Sequence, residues 1–178
     1  MRRRALFALL LTTVLSTVAG LAVDSPANAA SSFHQIHNVG SDKCIRPVDG
    51  SVEAGVAIMQ DLCDANDQSQ FWFSDRIVRG DFDVVYRFVN QKSGLCLDAR
   101  GGATNGTPIQ QWPCNSITNE LWLPNGSVAA HFDIISRVSG TQSHCLDVPN
   151  GDTASVALQL FRCNGTPAQK WDQVFVNP

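Results

Sequence analysis

The chain has 178 residues and a formal net charge of −3, and 44% of its residues are hydrophobic. This length corresponds to one domain of ordinary size, large enough to bury a hydrophobic core. Lysines and arginines do not cluster after Arg4. Because a surface that binds polyanions needs a basic stripe, this distribution argues against nucleic acid as a partner.

The first 29 residues have the pattern of a secretory signal peptide. Three arginines are followed by an apolar run from Ala5 to Leu11 and by the small-residue motif Ala27-Asn28-Ala29. A membrane anchor is the competing interpretation, but this run is shorter than the roughly 20 residues that a spanning helix needs. We therefore expect cleavage after Ala29 or Ala30, and a secreted, extracellular protein with no membrane span and a net charge near −5.

Three units of about 50 residues follow, in which the same landmarks recur in the same order. The opening cysteines are Cys44, Cys96 and Cys145. The closing tryptophans are Trp72, Trp122 and Trp171. This period indicates a threefold internal repeat, which we place at about 33–79, 80–128 and 129–178 of a domain covering 32–178. The repeats use nearly the whole domain, so we expect no separate catalytic domain.

Short strands separated by tight turns are predicted throughout the repeats. The segment 31–39 carries spaced apolar residues and is typical of a first strand, and the runs 84–89 and 131–136 have the pattern of strands about six residues long. Asn-Gly and Asp-Gly pairs between the runs supply the positive φ that hairpin turns require. No window of twelve or more residues outside the signal peptide keeps a helical apolar period. The domain is therefore predicted to be all-β.

Six cysteines, two in each repeat, are predicted to form disulfides. Six cysteines permit 15 connectivities. If each repeat closes its own loop, the pairs are Cys44–Cys63, Cys96–Cys114 and Cys145–Cys163. A zinc site is the alternative, but the sequence has no Cys-x-x-Cys motif, and its four histidines keep no fixed spacing from the cysteines. An oxidising compartment also favours disulfides, so we expect three bridges and neither a metal nor another cofactor.

Taken together, these motifs resemble the ricin B-chain type of lectin domain. The resemblance rests on Cys-Leu-Asp at 96–98 and 145–147, on a Gln and an aromatic residue shortly before Cys114 and Cys163, and on the closing Gln-x-Trp pattern at 70–72 and 169–171. It covers about Ser32 to Phe175. It implies a β-trefoil, in which three four-stranded units share a pseudo-threefold axis, with the three closing tryptophans in the common core.

The resemblance also implies which residues bind sugar. A sugar offers vicinal hydroxyls and a face of C–H groups, which suit a carboxylate acceptor, an amide and an aromatic wall. In the family these are the Asp of Cys-Leu-Asp, the Gln and aromatic residue before the second cysteine, and the Asn before Gln-x-Trp. The middle repeat has the complete set, Asp98, Gln110, Trp112 and Asn119.

The third and first repeats depart from this set. The third repeat has Asp147, Gln159 and Phe161, but Ala168 replaces the asparagine, so we expect weaker binding or a different sugar there. The first repeat has Arg46, Asp61 and Ser69 at the positions of the aspartate, the aromatic residue and the asparagine. We expect Arg46 and Asp61 to pair across the vacated pocket, which would leave the first repeat structural.

One substitution within the middle repeat has a predicted consequence. Glu120 stands where the other repeats have Gln70 and Gln169. A glutamate near Asp98 would bring two carboxylates together, and like charges raise one of the two pKa values. We therefore predict that sugar affinity at this site depends on pH or on a bound cation.

The sequence thus predicts a secreted lectin that is not an enzyme and that binds galactose-like or xylan-like glycans. A protein-binding trefoil, such as an inhibitor or the targeting subunit of a separately encoded enzyme or toxin, is the first alternative. A glycoside hydrolase is the second, because Asp98 and Glu120 are a candidate acid–base pair, although such enzymes need two carboxylates across a cleft that encloses the substrate.

Overall fold

Twelve short strands and five single 3₁₀ turns make up the described part of the chain, so the all-β prediction is confirmed. The computed structural model describes residues 32–80, 83–115, 117–127, 130–138, 140 and 142–176. The predicted signal peptide lies outside these residues. The strands of the first repeat are β1 (Phe33–Asn38), β2 (Cys44–Pro47), β3 (Ile58–Asp61) and β4 (Trp72–Arg79). Those of the second are β5 (Asp83–Asn90), β6 (Cys96–Ala99), β7 (Thr107–Trp112) and β8 (Trp122–Ser127). Those of the third are β9 (Ala130–Ser136), β10 (His144–Asp147), β11 (Gln159–Arg162) and β12 (Lys170–Phe175).

The first and last strands of each repeat close into a barrel. Antiparallel pairing runs from β1 to β4, β5, β8, β9 and β12, and β12 pairs with β1 again. Closure leaves the ring without an unpaired edge. The two inner strands of each repeat form the hairpins β2–β3, β6–β7 and β10–β11. This arrangement confirms the predicted β-trefoil.

Three tryptophans, one from each repeat, lie in the common core. Trp72, Trp122 and Trp171 are fully buried. Each indole Nε1 donates a hydrogen bond to a carbonyl in the second strand of its own repeat, at 3.0 Å to Ile45, 3.0 Å to Leu97 and 3.2 Å to Leu146. A buried tryptophan contributes a large apolar area and needs such a partner for its N–H. The predicted core role of these residues is confirmed.

The disulfides form within each repeat, as predicted. The bridges are Cys44–Cys63, Cys96–Cys114 and Cys145–Cys163. Two groups of potential metal ligands occur among the described residues, and both contain a bridged pair: His37 with Cys44 and Cys63, and Glu120 with Cys96 and Cys114. Their sulfurs are bonded to each other, whereas zinc binds thiolates.

Two buried glutamines tie neighbouring repeats together. Gln60 donates to the carbonyls of Asp152 and Ala154 in the third repeat at 2.8 and 2.7 Å. Gln111 donates in the same way to two carbonyls of the first repeat, those of Ser51 and Glu53, at 3.0 and 2.8 Å.

The third repeat has an apolar residue at the position of these glutamines. Leu160 pairs with Leu146 in its hairpin, as Gln60 pairs with Ile45 and Gln111 with Leu97. The loop 100–106 of the middle repeat, which Leu160 adjoins through a backbone bond from Gly106 N, is therefore not held by a buried amide.

Within the described ranges, no helix has the length and apolar character needed to cross a membrane.

Candidate functional site

The inner hairpins bring an aspartate and a glutamine side by side in two of the three repeats. In the β6–β7 hairpin Asp98 lies opposite Gln110, and in the β10–β11 hairpin Asp147 lies opposite Gln159. Directly opposed residues of an antiparallel pair share one face of the sheet. Gln110 Nε2 donates to Asp98 Oδ1 at 2.8 Å, and Gln159 Nε2 donates to Asp147 Oδ1 at the same distance. The sequence analysis placed all four residues in candidate sites, and the fold brings each aspartate against the glutamine of its own repeat.

An aromatic residue stands two positions after each of these glutamines, on the same face of its strand. Trp112 is 42% exposed, which is unusual for a tryptophan, and Phe161 is half-buried. A Cβ atom at Gly55 of the first repeat would lie 3.5 Å from the Trp112 ring. The Trp112 ring therefore packs against a loop of the neighbouring repeat. Much of the ring surface stays exposed to solvent, so Trp112 is not a core residue.

Asn119, the fourth predicted residue of the middle repeat, forms a hydrogen bond with the backbone. Asn119 lies in the 3₁₀ turn Thr118–Glu120, and its Nδ2 donates to the carbonyl of Ala99 at 3.1 Å. One amide hydrogen is thus committed within the protein, and Asn119 keeps its carbonyl oxygen and its second N–H for a ligand. Asp98, Gln110 and Asn119 therefore lie at the end of β6, and Trp112 lies opposite Cys96 at its start.

The third repeat lines a cavity with its predicted residues. A cavity of about 470 Å³ is lined by Asp147, Gln159 and Phe161. Here both carboxylate oxygens of Asp147 are held, because Gln169 Nε2 donates to Oδ2 at 3.0 Å in addition to the Gln159 bond. Ala168 lies in the wall of the same cavity. The three predicted residues therefore face one pocket, which Gln169 supports from behind.

Burial changes the acidity of both aspartates. It raises the pKa of Asp147, while the bonds from Gln159 and Gln169 act in the opposite direction. Burial also raises the pKa of Asp98, the bond from Gln110 lowers it, and the nearby charge of Glu120 raises it further. The middle site thus has the two neighbouring carboxylates that the sequence predicted.

A residue that sequence reasoning missed compensates the charge of Glu120. Glu120 is fully buried and accepts two bonds at 3.0 Å from the backbone N–H of Asn115. Arg87 in β5 places Nη1 3.8 Å from Glu120 Oε1. Gln35 occupies the corresponding place in β1, and it donates to Gln70 at 2.9 Å. An amide–amide pair in the first repeat has become an arginine–glutamate pair in the second. The sequence signal that could have identified Arg87 is this paired change, in which the second repeat gains one positive and one negative residue at the positions of the two glutamines.

The first repeat fills its own pocket with charged side chains. Arg46 Nε lies 3.3 Å from Asp61 Oδ2, as predicted, and Arg46 Nη1 donates to Asp67 Oδ2 at 2.9 Å, which was not. A bond from Ser155 and the charge of Arg46 hold the pKa of Asp61 below its usual value. Ser69 is fully buried and donates its hydroxyl to Asp67 Oδ1 at 2.7 Å. These contacts occupy the groups that a sugar would need.

Two overlapping family matches cover the domain. Residues 22–112 match the model described as "Ricin-type beta-trefoil lectin domain-like", and residues 84–175 match "Ricin-type beta-trefoil lectin domain". Each match includes half of the chain, and the two overlap in the middle repeat.

Three similar proteins that are longer than this chain illustrate the relationship. It is 36% identical over 93 residues to "Serine protease 1" of Rarobacter faecitabidus, which is 51% of this chain and 17% of that protein. It is 31% identical over 94 residues to "Nigrin b" of Sambucus nigra, 49% of this chain and 15% of that protein. The structure of 1,3Gal43A, an exo-β-1,3-galactanase from Clostridium thermocellum, superposes with a TM-score of 0.73 at 25% identity, over 83% of this chain and 31% of that one. The chain thus spans about a sixth of the length of these two curated relatives.

Proposed function

Because the chain belongs to the ricin-type β-trefoil lectin domain family, we propose that it is a secreted, non-enzymatic carbohydrate-binding protein. Its sites are the middle and third repeats, and its ligands are galactose-like or xylan-like glycans. The observation that carries the proposal is the pairing of a buried aspartate with a glutamine in two of three equivalent hairpins. In both repeats an accessible aromatic ring follows the glutamine on the same face.

The chemistry of this arrangement suits a sugar edge. An ionised aspartate has about four lone-pair positions, and one bond from Gln110 leaves several of them at Asp98 for hydroxyl donors. Bonds to a charged acceptor are stronger than those between neutral groups. The exposed ring of Trp112 offers a flat wall for the C–H face of the same sugar. Shallow sites of this kind bind weakly one at a time, and two sites on one body gain through avidity on a multivalent glycan.

The position of Glu120 supports a binding function over hydrolysis. Glycosidases hold two carboxyl groups on either side of the scissile bond. Glu120 is fully buried, faces the backbone N–H of Asn115 and lies beside Arg87. It stands behind Asp98 and contributes to the charge of the site without reaching a bound sugar.

Protein binding is the second candidate. It is favoured by the fact that the relatives named above are longer proteins, in which the matched region is one part. In this form of the proposal, the domain directs a separately encoded enzyme or toxin chain to its target. The aspartate, glutamine and aromatic residue that suit a sugar occur together in both the middle and the third repeat. This supports carbohydrate binding as the primary function.

The test is a glycan array combined with a pull-down on insoluble polysaccharides. The variants are Asp98→Ala, Asp147→Ala and the double substitution, with Arg79→Ala as an exposed control outside both sites. We expect each single variant to lose part of the binding, the double variant to lose all of it, and the control to match the wild type. A folded, oxidised wild-type protein that binds no glycan would overturn the proposal in favour of protein binding.

A further inference from the structure

The site of the third repeat is wide because small residues surround it. Ala168 occupies the place that Asn119 has in the middle repeat, and Gly151 faces it, since a Cβ atom at Gly151 would lie 4.0 Å from the Ala168 Cβ. Gly40 of the first repeat and Pro167 complete this end of the cavity. The space of about 470 Å³ therefore continues past Asp147 and Phe161 toward the first repeat.

This volume exceeds what one sugar needs. Pockets for drug-sized ligands measure about 300–1,000 Å³, and a monosaccharide is smaller than such ligands. A ring placed against Phe161, with its hydroxyls on Asp147 and Gln159, leaves the part of the cavity next to Ala168 unfilled.

Polar groups with unused hydrogen-bonding capacity also line this cavity. Asn164 Oδ1 accepts bonds from the Thr166 N–H and hydroxyl at 3.0 and 2.8 Å. Asn164 Nδ2 and the side-chain amide of Asn150 form no hydrogen bond within the described residues, and both residues line the cavity. Two amides with free hydrogen-bonding capacity thus line the same cavity as the apolar surface of Pro167 and Ala168.

We propose that the third site binds at least two linked sugar units, and that Ala168 is the residue that selects for this length. The inference rests on the carbohydrate-binding function proposed above. The first unit lies on Phe161 and bonds to Asp147 and Gln159. The second lies over Ala168 and Pro167, with its hydroxyls on the amides of Asn150 and Asn164.

The middle site differs at this point. The Asn119 side chain fills the place that Ala168 leaves open, and its bond to the Ala99 carbonyl holds it there at 3.1 Å. The middle site therefore takes a single terminal sugar, and added units gain no contact in it.

The experiment is calorimetric titration with ligands of increasing length. Asp98→Ala isolates the third site and Asp147→Ala isolates the middle one. The probes are galactose with its β-1,3-linked dimer and trimer, and xylose with xylobiose and xylotriose. We expect affinity at the third site to rise about tenfold from one unit to two, which corresponds to about 1.4 kcal/mol, and affinity at the middle site to stay flat.

A reciprocal exchange tests the role of Ala168. Ala168→Asn in the Asp98→Ala background should remove the gain with length and keep monosaccharide binding. Asn119→Ala in the Asp147→Ala background should introduce a gain. Each new residue already occurs at the equivalent position of a sibling repeat, so both variants should fold, as circular dichroism will check.

The outcomes separate the two proposals. Equal affinity for one and two units at a third site that binds the monosaccharide overturns the length inference and leaves the lectin function standing. Loss of monosaccharide binding in Ala168→Asn also overturns the selector role. A wild-type protein that binds none of the probes, nor any glycan on the array, overturns the proposed function itself.

Discussion

Arg87 and Glu120 form a charged pair in the second repeat. The first repeat has Gln35 and Gln70 at the equivalent positions. Glu120 is fully buried, and its pairing with Arg87 spans 3.8 Å. Removing one partner of a buried ion pair leaves an uncompensated charge, which costs more than the pair contributes when intact. Loss of Arg87 therefore leaves the buried charge of Glu120 uncompensated, whereas loss of the Glu120 charge leaves Arg87 paired with Asp75.

We expect Arg87→Gln to lower the free energy of unfolding by about 2 kcal/mol, below the usual range for a fully buried pair because Arg87 is partly exposed. Glu120→Gln alone should be close to neutral, and the double variant, which recreates the Gln35–Gln70 arrangement, should recover most of the loss. Urea denaturation of the four proteins measures this coupling. Asp75→Asn, which removes the other partner of Arg87, is the matched control and should change stability by less than about 1 kcal/mol. Additive effects of the two substitutions would show that the residues do not interact.

We expect the same glutamate to influence the pH dependence of sugar binding at the proposed middle site. In that site a sugar hydroxyl would donate to the ionised form of Asp98, so protonation of Asp98 would weaken the acceptor. Because burial and the charge of Glu120 raise the pKa of Asp98 above 3.8, affinity should begin to fall at a higher pH than for an ordinary aspartate. Glu120→Gln removes one of the two causes and adds an amide donor like Gln169, so the fall should begin at a lower pH. Titrations between pH 7 and 4 in the Asp147→Ala background, with and without chelator, measure the difference. Superimposable pH profiles would show that Glu120 does not act on the site.

At the scale of elements, the buried glutamines of the first and second hairpins, Gln60 and Gln111, each fix a loop of a neighbouring repeat. Gln111 bonds to the carbonyls of Ser51 and Glu53 and accepts the Ser93 hydroxyl at 2.8 Å. A leucine at this position, as in the third repeat, would leave these groups unpaired. Each buried group that loses its partner costs about 1–3 kcal/mol.

We therefore expect Gln111→Leu to destabilise the protein by about 2 kcal/mol and to speed hydrogen exchange in residues 51–55. Residues 152–154, held by Gln60, serve as the control within the same molecule and should keep their exchange rates. Mass spectrometry of peptic fragments distinguishes the two loops. Uniform acceleration in both loops would mean that Gln111 supports global stability and not one loop.

The hairpins also show what the sequence can and cannot predict. The landmarks that recur with the period, such as Cys96, Trp122 and Asp98, predicted the repeats, the disulfides, the core tryptophans and the candidate residues. Arg87 escaped because its partner lies 33 positions away, and only the pairing of strands brings the two together. The cavity beside Ala168 was not predicted either. In the sequence, alanine in place of asparagine indicates only that a contact is lost, whereas the space that opens depends on the surrounding residues.

At the scale of the whole molecule, the two proposed sites lie on one domain of twelve strands. Binding of the second site to the same polymer is intramolecular once the first has bound, and this raises apparent affinity by about 10²-fold or more when the geometry permits. Retention of wild-type protein on a densely substituted polysaccharide should therefore exceed that of Asp98→Ala and Asp147→Ala by this factor. On a sparsely substituted matrix the three proteins should differ by no more than a few fold. Equal ratios on both matrices would show that the sites act independently.

The missing glutamine at Leu160 has a practical consequence for engineering. Rebuilding the loops 51–55 or 152–154 would disturb carbonyls that buried amides depend on, so most variants of a randomised library would be lost to misfolding before selection. The loop 100–106 beside the middle site carries no such tie. Asn105 accepts the Arg162 N–H at 2.8 Å and Gly106 donates to the Leu160 carbonyl, so these two residues should be kept. A library built at the other positions of this loop should retain a larger folded fraction, from which new ligand preferences can be recovered.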